Sequence, residues 1–242
     1  MGGIIVVGDI HGDWAALNNL MNKKKPSIVL QCGDFGWWPR MSVKKSGVHY
    51  GLKAWSHKGL KIPEGTKVYW CDGNHEDHDS LAKLRNPAAQ RQSVEVYKDC
   101  HYMPRGSVLT LPDGRKVMFF GGAESIDKYR RTPGIDWFPE EIPNYAEVDR
   151  ALSLETKVDI IISHTAPTDW TPDASRPEKV PDPTCKMLQA ILEVHRPKHW
   201  FHGHWHHAAN GSIGATTVTK RTHMHSLDYP RHGGRWWLPL ED

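Results

Sequence analysis

The chain has 242 residues, with 31 basic and 28 acidic side chains and a formal net charge of +3. That length accommodates one good-sized domain with a substantial core, residues 1–242 taken as a unit. The charge balance is too mild for a protein built around long nucleic acid.

Four cysteines, Cys32, Cys71, Cys100 and Cys185, stand far apart without CxxC spacing, which suits neither a zinc knuckle nor a small disulfide framework. The first apolar run begins at Ile4, leaving no room for a secretory signal, and no run of 18 apolar residues occurs. The expectation is a cytoplasmic protein with no membrane partner. Sixteen histidines are more unusual than the charge, and histidine is the commonest metal ligand.

In chain order, the pattern predicts a strand over 4–8, then a helix from Trp14, Leu17, Leu20 and Met21 at helical spacing. Asp13 is placed to cap that helix, and Lys23-Lys24-Lys25 with Pro26 closes it. Strands follow over 28–32 and 67–72, giving a βαβ pattern. A short helix from Asp79 to Arg85 leads to strands near 94–97 and 107–111. Pro112-Asp113-Gly114-Arg115 turns a hairpin into 116–121. Residues 122–145 carry Gly, Pro and basic side chains without periodicity, and a loop that long in a compact domain tends to be functional. A helix near 146–155, a buried strand at 158–163, a Pro-rich connection, a helix at 184–195 and strands near 198–202, 213–219 and 222–228 complete the chain.

Short polar clusters follow the apolar runs. Asp9-Ile10-His11, Gly33-Asp34, Gly73-Asn74-His75-Glu76, Ser163-His164 and Gly203-His204-Trp205-His206 each stand where a buried strand is predicted to end. Open α/β sheets bind ligands beyond the carboxyl ends of their strands. Asp9 and His11, two apart in an extended backbone, would face one side. Carboxylate, amide oxygen and imidazole together suit Mn, Fe, Zn or a similar divalent ion. Singly each cluster is a common turn or surface feature; five in one order at five strand ends point to a dinuclear metal site.

The residues GDIHG at 8–12, GD at 33–34, GNHE at 73–76, SH at 163–164 and GHWH at 203–206 resemble the motifs of the calcineurin-like metallophosphoesterases. That resemblance implies an α/β fold, a four-layer αββα sandwich of two mixed sheets flanked by helices. It implies one metal on Asp9, His11, Asp34 and His206, and a second on Asp34, Asn74, His164 and His204, with Asp34 as the bridge. The cofactors would be two divalent ions, Mn2+ first, with Fe, Zn, Ni or Co as alternatives. Residues 121–141 further resemble small bacterial and phage members of the superfamily.

The implied chemistry is hydrolysis of a phosphoester by a metal-activated hydroxide, with His75 stabilising the transition state or protonating the leaving oxygen. Protein phosphatases of this superfamily continue the second motif as GDxVDRG, whereas here it reads GDFGWWPR at 33–40. The Asp that orients the catalytic histidine is missing there, and Arg40 falls at the wrong spacing. Glu76, Asp77 or Asp79 could orient His75 instead. Without those arginines a diester monoanion is the better expected substrate, so the reading is a phosphodiesterase acting on cyclic nucleotides or other small phosphodiesters. The alternative is a phosphomonoesterase, including a serine/threonine phosphoprotein phosphatase. A binding module that has lost catalysis is disfavoured, because all seven candidate ligands and His75 are present. Lys128, Arg130 and Arg131 could reach a phosphate or be solvated loop charges. Trp37, Trp38 and Trp137 could stack a base at the mouth or pack loop on core. His78 could support the ligands from behind; His202 and His207 are not expected to be ligands, and His223, His225 and His232 read as surface or strand residues.

Overall fold

A computed structural model describes residues 2–40, 59–85, 92–173, 175, 182–214 and 221–241. Two six-stranded mixed sheets face each other. In the first, β1 (Ile4–Val7), β2 (Ile28–Gln31), β3 (Lys67–Trp70) and β5 (Cys100–Tyr102) run parallel, with antiparallel β12 (Trp237–Pro239) and β4 (Val94–Tyr97) at the edges. In the second, β7 (Lys116–Phe120), β8 (Ile160–Ser163), β9 (His199–His202) and β11 (Thr222–Ser226) are parallel. Its antiparallel edges are β6 (Ser107–Thr110) and β10 (Ala209–Ile213).

Strands buried on both faces read as continuous apolar runs, and their period of two sorts the side chains between layers. Ile5, Val7, Val29, Val68 and Trp70 turn outward and pack against Trp14, Leu17, Leu20 and Met21 of α1 (Trp14–Lys24) and Leu81 of α2 (His78–Leu84). Their neighbours Val6, Leu30 and Tyr69 turn inward onto Val117, Phe119, Ile160, Ile162 and Phe201 of the other sheet. Met118, Phe120, Ile161, Trp200 and Met224 form the far face, covered by Val148 and Ala151 of α3 (Tyr145–Leu152) and Leu188, Ile191 and Leu192 of α4 (Pro183–His195). Three apolar clusters therefore separate four layers in the order helix, sheet, sheet, helix, as expected.

Helix ends follow the local chemistry. Asp13 accepts from Ala16 N to cap α1, and Lys25 in the left-handed region ends it. Asn144 and Glu147 form a reciprocal capping box on α3. For α2 the cap is Asp77, so the helix starts at His78, one residue before the expected Asp79.

Three expectations need correction. The strand expected over 213–219 forms at Ala209–Ile213, in register with β11, and 215–220 lie outside the described residues. Strands β5 and β12 were not expected: each is three residues long, too short to display alternation. β5 follows a tight reversal in which Asp99 takes a φ of 61°. Among the described residues, no helix is long and apolar enough to cross a membrane.

A buried charge cluster ties the long loop to β3. Asp72, just past that strand, receives Arg105 Nε at 2.9 Å and Nη2 at 2.6 Å, and Arg105 also donates to Glu147 and to the carbonyls of Glu140 and Glu141. Arg85 and the Tyr102 hydroxyl complete it. Burial alone would raise the Asp72 pKa, but Arg105 and Arg85 hold it below the ordinary carboxylate range.

Candidate metal centre

Parallel strands in both sheets end at one edge, and the polar clusters meet there. His206 Nε2 lies 2.9 Å from Asp9 Oδ2 and 3.1 Å from His11 Nε2. His11 Nε2 is 3.6 Å from Asp34 Oδ2, which is 3.4 Å from His164 Nε2. The Asn74 amide oxygen stands 3.0 Å from His164 Nε2 and 3.1 Å from His204 Nδ1. All seven expected ligands therefore face one centre, with Asp34 between a His11/His206 half and a His164 half. Two sets of three, Asp9/His11/His206 and Asp9/Asp34/His164, present donor atoms mutually within 4.8 Å, close enough to hold a metal ion.

The backbone at these positions is strained. His11, Asp34, His204 and His206 have φ of 47°, 51°, 68° and 47°, a region uncommon for residues other than glycine that costs each about 1–2 kcal/mol. Asp9 and His11 thus converge through a turn rather than through the extended chain expected from their spacing. Such strain persists where surrounding contacts over-determine the geometry, as at ligand clamps. Those contacts are visible: Ile10 N and His11 N donate to Asp34 O at 3.1 and 2.7 Å, and Gly203 N donates to His164 O at 2.9 Å.

The glycines of the motifs are explained by close approach. A Cβ on Gly203 would lie 1.9 Å from Asp9 Oδ1, and one on Gly73 would lie 2.1 Å from Asp34 Oδ1. Each carboxylate is thereby seated directly on the backbone of a neighbouring motif. His204 N donates to Asp9 at 3.0 and 3.1 Å, and His75 N donates to Asp34 Oδ1 at 2.8 Å.

The donor set fits divalent cations. Asp9 and Asp34 are 0 % and 1 % exposed, and among the described residues their ion-pair partners are histidines alone. Buried carboxylates without Lys or Arg partners need positive charge from elsewhere. Burial works to raise the Asp34 pKa, yet His164, His75 and His11 hold it well below the usual range. Burial opposes protonation of His164, but Asp34 and Asp9 push it up to about 10. Burial lowers His204 to about 3; coordination requires neutral imidazole, so a cation bound at the centre would displace the proton from His164. His164 Nδ1 lies 2.9 Å from the Cys32 carbonyl, a contact of the kind that fixes the tautomer of a ligating imidazole.

Glu76, Asp77 and Asp79 do not orient His75. Glu76 accepts from Gly36 N and Gly73 N at 2.9 and 2.6 Å, tying two loops together. Asp77 and Asp79 take the Arg40 guanidinium, at 2.5 and 3.0 Å. The group against the His75 ring is instead Arg131, whose Nη2 lies 2.8 Å from Nδ1 and 2.7 Å from Nε2. Ser125 of the same loop accepts from the Asn74 amide at 2.9 Å. Lys128 pairs with Glu124, and Arg130 is exposed.

Other expectations resolve in favour of packing. Trp37 and Trp38 are 7 % and 1 % exposed in the core rather than at the mouth, and Trp137 donates to Glu141. His78 is buried with Nε2 3.1 Å from the Gly73 carbonyl, so it supports the turn behind Asn74. His202 pairs with Trp170 Nε1, and His207 is exposed. His232 was expected at the surface; it is exposed, yet its Nδ1 lies 2.9 Å from the His206 carbonyl. Tyr229, singled out by no motif, packs its ring 4.7 Å from that of His206.

No curated protein matches the chain. The family model for calcineurin-like phosphoesterase matches residues 3–208, spanning every motif that builds this centre. Metal-dependent phosphoester hydrolysis is the chemistry of that family, and the chain belongs to it.

Proposed function

We propose that the protein is a dinuclear metal-dependent phosphodiesterase acting on a small phosphodiester, a cyclic nucleotide or another nucleotide derivative being the leading class. In this reading Asp9, His11, Asp34 and His206 hold one divalent ion, and Asp34, Asn74, His164 and His204 the other, with Mn2+ as the preferred metal. Bound there, two such ions supply Lewis acidity toward the phosphoryl group and a water of lowered pKa.

The chain's own residues do the rest. The imidazole of His75 stands 5.2 Å from the His11 ring, centroid to centroid, and the residue is partly exposed. It is placed to meet the phosphoryl or leaving oxygen with a hydrogen bond. The Gly73–His75 turn, anchored through His75 N on Asp34 and through Glu76 on Gly73 N, keeps that ring in register with the ligands.

The preference for a diester rests on one observation: among the described residues, three basic side chains named as candidate phosphate contacts or lying beside the Gly73–Asp79 segment are paired with carboxylates. Arg40 is held by Asp77 and Asp79, Lys128 by Glu124 and Arg131 by Asp127. A monoester dianion calls for further cationic contacts that a diester monoanion does not. Turnover of a bis-aryl phosphate with added Mn2+ is expected to exceed that of the mono-aryl phosphate by about tenfold or more in kcat/KM, a difference of about 1.4 kcal/mol in barrier. Preference for the monoester would assign the protein to the phosphomonoesterases. A parallel screen of cyclic nucleotides and dinucleotides would narrow the substrate.

A further inference from the structure

The segment 121–141 has no place in the metal-ligand motifs, yet it reaches two of the residues in the Gly73–Glu76 turn. Its 3-10 turn, Lys128–Arg130, sets Asp127 and Arg131 one turn apart, and Arg131 Nη2 pairs with both oxygens of Asp127 at 2.8 and 2.9 Å. The same nitrogen touches both ring nitrogens of His75 at 2.7 and 2.8 Å, while Nη1 donates to the Asp136 carbonyl at 3.4 Å. The Arg131 side chain is 1 % exposed, so it offers almost no surface to a substrate. The loop that carries it is fixed at its far end by Arg105 on the carbonyls of Glu140 and Glu141, and by Glu141 on Ser125.

We propose that Arg131, seated on Asp127, is the positioning residue for His75, taking the place that sequence reasoning gave to a carboxylate at 76, 77 or 79. The chemical consequence is specific. A guanidinium has donors only, so a neutral His75 ring meets it as an acceptor, with both ring nitrogens within 2.8 Å of Nη2. A carboxylate in that place would accept a hydrogen from the ring instead. The segment 121–141 thus works as a second scaffold for the catalytic turn, holding Asn74 through Ser125 and His75 through Arg131.

This inference rests on His75 being the group that meets the phosphoryl centre, and its test separates the two. In the Mn2+-loaded protein, Arg131→Ala is expected to lower kcat on the bis-aryl phosphate by about 10- to 100-fold with KM within about twofold. On a His75→Ala background the same substitution should cost less than about twofold, because a residue that acts through His75 has nothing left to position. Asp127→Asn should reproduce the effect in weaker form, and guanidinium ion at millimolar concentration should restore part of the Arg131→Ala loss. Equal losses with and without His75, or no loss, would overturn the proposal. Nitrogen-15 spectra of the His75 ring give a readout independent of turnover and serve if the wild-type protein hydrolyses neither aryl phosphate. The ring signals are expected to shift in Asp127→Asn, and in Arg131→Ala if that variant folds. Unchanged His75 signals would refute the contact whatever the substrate.

Discussion

Asp34→Asn is expected to abolish measurable turnover, by at least about 10³-fold or roughly 4 kcal/mol of barrier, while leaving the fold intact. Asn is the informative substitution because it tolerates the φ of 51° at this position and retains an acceptor for His75 N, which donates to Asp34 Oδ1 at 2.8 Å. What it removes is the charge. Asp34 Oδ2 lies 3.6 Å from His11 Nε2 and 3.4 Å from His164 Nε2, which is the geometry behind the proposal that this carboxylate is shared by both halves of the centre. Loss of a bridging anion should lower the metal content of the purified protein from two ions to one or none. Elemental analysis beside circular dichroism would check this; full activity with unchanged metal content would remove Asp34 from the role.

His75→Ala separates chemistry from metal binding. The hydrogen bond to Asp34 runs through the backbone N–H, which alanine retains, and the ring meets the candidate ligand His11 edge-on, 5.2 Å centroid to centroid. We expect kcat to fall about 10²- to 10⁴-fold with KM and metal content little changed, the pattern of an interaction made chiefly in the transition state. A rise in KM alone, or a loss of metal, would make His75 a binding or structural residue instead. Wild-type and variant can be compared in one metal-supplemented assay.

The convergence of the candidate ligands was legible because they follow strands whose apolar runs announce burial on both faces. Ile4 to Val7 before Asp9, Ile28 to Leu30 before Asp34 and Ile160 to Ile162 before His164 each fix where a side chain emerges, and parallel order brings those ends to one edge. The strain at His11, Asp34, His204 and His206 was not legible, because it is imposed by contacts between motifs distant in the chain rather than by local preference. The group that contacts the His75 ring was not legible for the same reason. Sequence proximity favoured Glu76, Asp77 and Asp79, but Glu76 is taken by two backbone amides and the two aspartates by Arg40. Arg131 lies 56 positions away in a segment without periodicity. That segment's length and composition marked it as functional without saying for what. The three-residue edge strands β5 and β12 gave no alternation to read.

The central claim is that seven side chains from both sheets enclose two cations that share Asp34. Anomalous scattering from crystals grown with Mn2+ tests it most directly. The expected map has two peaks, one among Asp9, His11 and His206, the other among Asn74, His164 and His204, with the Asp34 carboxylate between them. A single peak away from Asp34, or none in protein that still turns over a phosphodiester, would contradict it.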